Sequence, residues 1–219
     1  MKKMSRTVIL ANGSFPKKGS EARRILESAG RIVACDGAAD RLRRRLGRET
    51  DFVVGDFDSL KNTSRSPVKG SAVKVHVADQ NTNDLTKAID FCRDRGFGDP
   101  VIVGATGGRE DHTLGNIFRA MEAGIELVTD EGRFLPLFER RGVRRLTLHL
   151  AKGTPVSVFA TDPATSMNSK GLEWPLKGVR FENLYCATLN RASEERIEIA
   201  SDRPAFVFIG GGNFRTRGK

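Results

Sequence analysis

The sequence predicts an α/β chain in two parts, a mostly parallel α/β sheet domain followed by an antiparallel β-sandwich domain. Three observations predict it. Over the first ~130 residues, short β-branched runs alternate with helical apolar stripes, the pattern of helices layered on a sheet. After about Glu131 no strong helix pattern appears, and short β runs follow one another. Gly153, Pro155, Pro163, Gly171, Pro175, Gly178 and Pro204 punctuate those later runs, which is the texture of a sandwich. The domains are placed at 1–135 and 136–219, with an Arg-rich connection near 131–140.

In chain order, the first part offers strands at Thr7 to Ala11, Arg31 to Cys35, Phe52 to Val54, Val73 to Val77, Val101 to Val103 and Glu126 to Thr129. They are short and β-branched, as strands buried on both faces are. Three helical stripes stand at i, i+3, i+4, i+7: Ala22, Ile25, Leu26, Ala29; Leu85, Ala88, Ile89, Cys92; and Leu114, Ile117, Phe118, Met121. Each is expected to cover a sheet face. The second part offers strands at Phe134 to Phe138, Leu146 to Leu150, Val156 to Phe159, Glu182 to Leu184, Arg196 to Ile199 and Ala205 to Ile209.

With 219 residues, 38% apolar and 29% charged, the chain has enough apolar surface for a core and is not of the disordered class. Its apolar runs, such as Phe206-Val207-Phe208-Ile209, fall far short of the ~20 residues that cross a membrane. The run Val8 to Ala11 is too short for a signal peptide, so a cytoplasmic protein is expected. Cys35, Cys92 and Cys186 are odd in number and far apart, which argues against a disulfide framework or zinc site and for reduced, mostly buried thiols. The net charge of +10 comes largely from two clusters, Arg41, Arg43, Arg44, Arg45, Arg48 and Arg140, Arg141, Arg144, Arg145. These read as a solvated face that attracts anions rather than a nucleic-acid surface. One Trp and one Tyr are a poor supply for stacking bases.

In a parallel sheet, ligands bind beyond the carboxyl ends of the strands. The residues after the candidate strands are therefore the place to look. Asp36-Gly37-Ala38-Ala39-Asp40 follows one strand and Gly55-Asp56-Phe57-Asp58-Ser59 the next. Then come Asp79-Gln80-Asn81-Thr82-Asn83-Asp84 and Gly104-Ala105-Thr106-Gly107-Gly108-Arg109-Glu110-Asp111-His112. Carboxylates converging on one rim repel one another unless a cation sits among them, and Mg²⁺ with its oxygen ligands suits that role. Asp56 and Asp58, two apart in an extended segment, point the same way, with Phe57 turned into the packing. Asp40 reads as a turn or cap residue. Gly104 to Gly108 suits a phosphate cradle or a tight turn, and Arg109 a bidentate grip on phosphate oxygens. Asp111 caps the following helix or lines the site. His112 and Asn116, four apart, share a face. Asp84 and Lys87 share a face one turn apart, as a site pair or a surface ion pair, with Asn83 or Thr82 as the cap.

Together the four segments D-G-A, G-D-x-D-S, D-Q-x-x-x-D-x-x-K-A and G-A-x-G-G-R-x-D-H-x-x-x-N resemble the thiamine pyrophosphokinase family. They stand here as Asp36-Gly37-Ala38, Gly55-Asp56-Phe57-Asp58-Ser59, Asp79-Gln80…Asp84…Lys87-Ala88 and Gly104-Ala105…Gly107-Gly108-Arg109…Asp111-His112…Asn116. Gly171-Leu172-Glu173-Trp174-Pro175-Leu176 is similar to the family's G-L-x-W/Y-x-L. The family often has Thr-Asp where this chain has Asn83-Asp84, and Ser-Asn where it has Leu189-Asn190. The resemblance implies a Rossmann-like N-terminal domain, a C-terminal β-sandwich that binds thiamine, and a homodimer with thiamine at the subunit junction. It implies transfer of diphosphate from Mg-ATP to the thiamine hydroxyl, with no nucleic acid or membrane partner. Asp56, Asp58 and Asp84 would hold Mg²⁺ and, with Arg109, carry the chemistry. Asp36, Gly37, Gln80, Asn83, Lys87, Thr106, Gly107 and Gly108 would meet ATP. Asp111, His112, Asn116, Trp174 and Asn190 would meet thiamine. Trp174 is a stacking partner for a thiamine ring or a core residue. A pyrophosphokinase acting on another small alcohol, such as a pterin, and a nucleotide- or nucleic-acid-binding module without turnover are the competing readings.

Overall fold

The computed structural model describes residues 6–57, 72–79, 82–137, 139–140 and 143–211. The chain divides into two compact units, 1–130 and 131–219.

The first unit holds strands β1 (Thr7–Leu10), β2 (Arg31–Cys35), β3 (Phe52–Gly55), β4 (Val73–His76), β5 (Val101–Val103) and β6 (Glu126–Val128), with helices α1 (Glu21–Glu27), α2 (Ala38–Leu46), α3 (Asp84–Asp94) and α4 (Glu110–Ala123). Its strands are all parallel, in the order β6-β5-β1-β2-β3-β4. From β1 the chain steps outward to β4, and α3 then carries it back to β5 beside β1. The direction of winding therefore reverses between β1 and β5, which is where such a sheet opens a crevice.

Alternation along the strands decides which helix covers which face. Val8, Leu10, Ile32, Ala34, Val101 and Val103 pack with Ala22 and Leu26 of α1 and Ala38 and Leu42 of α2. On the α3 side, Phe52, Phe91 and Phe97 meet with ring centroids 5.1–5.9 Å apart. Ser20 caps α1 and Asn83 caps α3, each side-chain oxygen accepting a main-chain N–H. Glycines in left-handed conformation, Gly47 and Gly124, end α2 and α4.

Two expectations fail here. The stripe on α4 is half-covered: Met121 is buried, but Leu114 and Phe118 are 56% and 42% exposed. The helix packs chiefly against β6 and α3. β4 is an exposed edge strand rather than one buried on both faces.

The second unit contains two antiparallel sheets. One runs β13 (Ala187–Arg191), β10 (Pro155–Ala160), β15 (Ala205–Gly210), β7 (Gly132–Leu137). The other runs β12 (Lys177–Arg180), β11 (Ser166–Lys170), β14 (Arg196–Ser201), β9 (Val143–His149), β8 (Glu139–Arg140). Leu137, Val156, Val158, Val207 and Ile209 from the first share one core with Leu148, Met167, Ile197 and Ile199 from the second, which makes a sandwich. The expected strand at Glu182 to Leu184 is a turn instead; Phe181 just before it is fully buried and plugs the core. β11, β12 and β13 have no apolar alternation in the sequence. β11 buries Met167 alone, and hydrogen bonds to β12 and β14 hold it.

Candidate active site

The site is built where β1 and β5 end. Ala11 donates its N–H to Val103 at 2.9 Å, Gly13 to the Gly104 carbonyl at 2.7 Å and Ser14 to the Thr106 carbonyl at 2.8 Å. The two loops are thus zipped together. The closeness requires glycine. A Cβ on Gly13 would lie 2.6 Å from both the Gly104 and Thr106 oxygens, and one on Gly107, at φ 77°, would overlap Ser14 Oγ. Arg41 of α2 clasps the first loop, donating to the Asn12 carbonyl at 2.7 Å and also to Asn12 Oδ1 and the Gly13 carbonyl.

Across the rim stand the carboxylates. Asp36 follows β2, Asp56 follows β3, and Asp84 opens α3. Lys87 is 5% exposed, and its Nζ lies 3.4 Å from Asp56 Oδ2 and 3.4 Å from Asp84 Oδ1. A surface ion pair is therefore not the right description. Burial raises the pKa of Asp84, Lys87 opposes that rise, and the charges of Asp56 and Asp36 add to it. Burial alone would lower the Lys87 pKa; Asp84 and Asp56 outweigh it, so the ammonium is held more firmly than usual. Cys35 sits at the floor of the site. Burial, with help from Asp84, pushes its thiol far up, so it is a packing group and not a nucleophile.

On the glycine side, α4 starts without a side-chain cap at Arg109. Arg109 instead grips Asp111 with two hydrogen bonds, 3.1 and 2.6 Å. That bond, followed by the His112 main-chain N–H, lowers the Asp111 pKa to about 2. Asn116 donates to the Ala105 carbonyl at 2.8 Å and so holds the loop.

Most of these groups line one cleft of about 740 Å³, but Asp36 and Asp111 are not among its lining residues. Of the sequence-derived residues, Asp56, Asn83, Asp84, Lys87, Gly107, Gly108, Arg109, His112 and Asn116 line it. Gly37 lies just behind, against Asn12, and Thr106 serves through its carbonyl. Asp58 and Gln80 lie outside the described residues. The expected extended backbone at Phe57 is not found: Phe57 takes φ 57° and its ring stacks on His76, 6.1 Å between centroids. Among the described residues, no group of three or more His, Cys, Asp or Glu is disposed around a metal position. Asp40 pairs with Arg43 at 2.9 Å, as a surface residue does.

Asn12, Gly13, Ser14 and Arg41 were missed. Asn12-Gly13-Ser14 follows β1 and carries no charge, so a search for acidic strand exits passes over it. By sequence Arg41 reads as part of a solvated face. In fact Arg41 donates to the Asn12 and Gly13 carbonyls and to Asn12 Oδ1, and Arg48 to the carbonyls of Leu26, Glu27 and Ala29 at the end of α1.

In the second unit, Trp174 and Asn190 meet. Asn190 is buried; its Oδ1 accepts from the Trp174 N–H at 3.2 Å, and its Nδ2 donates to the Trp174 carbonyl at 2.7 Å. The indole is 53% exposed, so Trp174 is not a core residue. The Arg191 guanidinium lies 5.3 Å from the ring centroid. Leu189 is 88% exposed at φ 61°. It falls where β13 carries an extra residue against β10, between the pairs Val156–Asn190 and Val158–Ala187. Of the cysteines, Cys35 and Cys92 are buried and Cys186 is exposed.

Comparison with known proteins gives the same two-part reading. Residues 22–128 match the family description "Thiamin pyrophosphokinase, catalytic domain", and residues 141–208 match "Thiamin pyrophosphokinase, substrate-binding domain". Thiamin pyrophosphokinase 1 of Caenorhabditis elegans is 26% identical over 207 residues, covering 88% of this chain and 84% of that one. Thiamine pyrophosphokinase of Bacillus subtilis is 32% identical over 90 residues, 38% of this chain and 42% of that one. Among solved structures, a thiamin pyrophosphokinase family protein from Enterococcus faecalis aligns with TM-score 0.75 at 18% identity, over 95% of this chain and 100% of that one. Yeast thiamin pyrophosphokinase aligns with TM-score 0.73 at 14% identity, over 96% and 87%. At these identities the structural likeness speaks for the fold, while the two domain matches speak for the family. With both characteristic domains present in order, the chain belongs to the thiamin pyrophosphokinase family.

Proposed function

We propose that this chain transfers the diphosphate of Mg-ATP to the hydroxyl of thiamine, giving thiamine diphosphate and AMP. One observation supports the reading above the rest. Asp56 and Asp84 converge on a single cation, the Lys87 ammonium, at a rim that also carries the Gly104–Gly108 loop and the uncapped start of α4. Acids and a phosphate cradle on one cleft are what diphosphate transfer needs.

The donor set fits Mg²⁺. Two carboxylates already lie within reach of one cation, their side chains are about one-third exposed, and Mg²⁺ takes one or two carboxylates beside phosphate oxygens and water. Asp56 and Asp84, with Asp58 as a further candidate, would hold it, and Lys87 would set the spacing between them. Mg²⁺ bound there supplies charge neutralisation on the phosphate oxygens. The main-chain N–H groups of Gly107, Gly108 and the first turn of α4 bind phosphate oxygens. Arg109, freed from Asp111 or sharing its donors, balances charge on them. Asp36, Gly37, Gln80, Asn83 and Thr106 complete the ATP side, while His112 and Asn116 line the acceptor side and Asp111 stands beside them, bound to Arg109. The thiamine oxygen forms a bond to the β-phosphorus, the bond from that phosphorus to the α-phosphate bridging oxygen breaks, and AMP leaves. The hydroxyl proton passes to one of the rim carboxylates. Positioning carries most of the rate.

The same reading assigns residues 1–135 to Mg-ATP and 136–219 to thiamine, with Trp174 stacking on a thiamine ring and Asn190 fixing its main chain. It includes a homodimer and a cytoplasmic location, the latter in keeping with three free cysteines. No helix among the described residues is long and apolar enough to cross a membrane. The test is AMP release from Mg-ATP with and without thiamine. Thiamine-dependent AMP with thiamine diphosphate as co-product is expected. ATP binding without thiamine-dependent AMP, or turnover only with a pterin alcohol, would overturn the acceptor assignment.

A further inference from the structure

The cations of the cleft are largely spent within it. Lys87 serves Asp56 and Asp84, and Arg109 serves Asp111. Beyond the Mg²⁺ and Arg109 assigned above, that leaves little further positive charge to balance a nucleoside triphosphate. On the α1–α2 side of the sheet, however, lies a second cavity of about 620 Å³ that shares Ser14 and Arg41 with the cleft. Its other charged lining residues are Lys17, Lys18, Arg23 and Arg45, and no carboxylate is among the described residues that line it. Two acids approach from outside: Glu27 pairs with Arg23 at 2.7 Å, and Asp130 accepts the main-chain N–H of Lys17 at 3.0 Å. Lys18 and Arg45 are exposed and make no ion pair among the described residues. Arg41 and Arg45 stand four apart on α2, where like charges repel. A fold that gathers five cations around one cavity stores repulsion that an anion relieves.

We propose that this cavity is a second anion subsite, which holds the phosphate at one end of the nucleotide's triphosphate, α or γ, outside the carboxylate rim. The inference rests on the nucleotide reading of the cleft and not on the identity of the acceptor. Arg41 forms the wall between the two cavities. Its clasp on Asn12 and Gly13 ties the anion subsite to the loop that meets Gly107. The occupant is a phosphate ester or anhydride end, either the α-phosphate of the departing AMP or the γ-phosphate of the transferred diphosphate.

The experiment is calorimetric binding of Mg-ATP without thiamine, on the wild-type chain and on Lys18→Ala/Arg45→Ala. Both side chains are exposed, so the fold is spared. ATP affinity is expected to fall roughly tenfold at low salt and less at high salt, with Arg45→Lys close to wild type. Parallel titrations with AMP and with inorganic diphosphate identify the end held, by which of the two loses affinity. Unchanged ATP affinity in the double variant, and again in Lys18→Glu/Arg45→Glu, would overturn the proposal. Weakened ATP binding in a protein that shows no thiamine-dependent AMP release would sink the acceptor reading and leave the subsite standing.

Discussion

The cleft of the first unit and the Trp174–Asn190 corner of the second handle their polar groups in opposite ways. In the cleft, charge is buried and over-determined. Lys87 is held by two carboxylates, and the loops beside it are locked by three main-chain hydrogen bonds and by glycines that admit no side chain. At the corner, the aromatic ring stands in solvent and one buried amide fixes only its backbone. The difference teaches where precision is placed. On the reading proposed above, phosphate chemistry punishes small displacements, which suits groups that sit on strand ends and helix starts. The proposed recognition of a ring would tolerate an exposed side chain that gains its full contacts on binding.

The largest expected effect tests the over-determination. Asp56→Asn/Asp84→Asn strips Lys87 of both partners and should cost roughly 3–5 kcal/mol, read by urea denaturation. Asp56→Asn alone leaves Asp84 in place, so it should unfold near the wild-type midpoint while losing at least ~100-fold in turnover. A double variant as stable as wild type would show that Lys87 is not held by charge.

Next is the loop lock. Gly107→Ala meets a left-handed φ and the Ser14 side chain together, and should cost about 2 kcal/mol and raise the KM for ATP. An unaltered KM and midpoint would break the claim that the β1 and β5 exits fit by close approach. The corner should respond the other way. Trp174→Ala is expected to change stability by less than ~0.5 kcal/mol and to raise the KM for thiamine about tenfold, with the KM for ATP unmoved. A large loss of stability would make it a structural residue after all.

Smaller again is Leu189→Gly. A bulky residue at φ 61° is strained, and relieving it should gain about 0.5 kcal/mol after the added chain entropy of glycine. Equal or lower stability would mean that Leu189 is packed by something that strain alone does not reveal. The smallest effect is local to Asp111. Its folded pKa is depressed from 3.8 to about 2, so its favourable contribution is present above pH 3.8 and is lost as pH falls toward 2. Carboxyl chemical shifts should report a midpoint near 2, returning toward 3.8 in Arg109→Ala.

Much of the first unit was legible in the sequence because strands buried on both faces leave runs such as Val101-Ile102-Val103, and covering helices leave stripes such as Leu85, Ala88, Ile89, Cys92. The acid rim was legible because charge at a strand exit stands out. Asn12-Gly13-Ser14 did not stand out, since its role lies in main-chain N–H and C=O groups that every residue has. Arg41 read like its neighbours Arg43 and Arg44, because a helix period does not say which arginine finds a carbonyl. In the second unit, β11 and β13 were not legible. Their pairing comes from partners far along the chain, and their side chains carry no period-two signal.

By itself the sequence determined the two-part architecture, the parallel order of labour between strands and helices, and the four segments that mark the family. Those follow from local periodicity and from residue types with few alternative uses. Tertiary structure alone decided that Lys87 is buried between Asp56 and Asp84, that Trp174 is exposed, that Leu114 and Phe118 stay exposed, and that Arg45 and Lys18 face the same cavity as Arg41. Each of those depends on which distant segments come together, and burial and charge pairing are properties of that meeting rather than of any residue's neighbours in the chain.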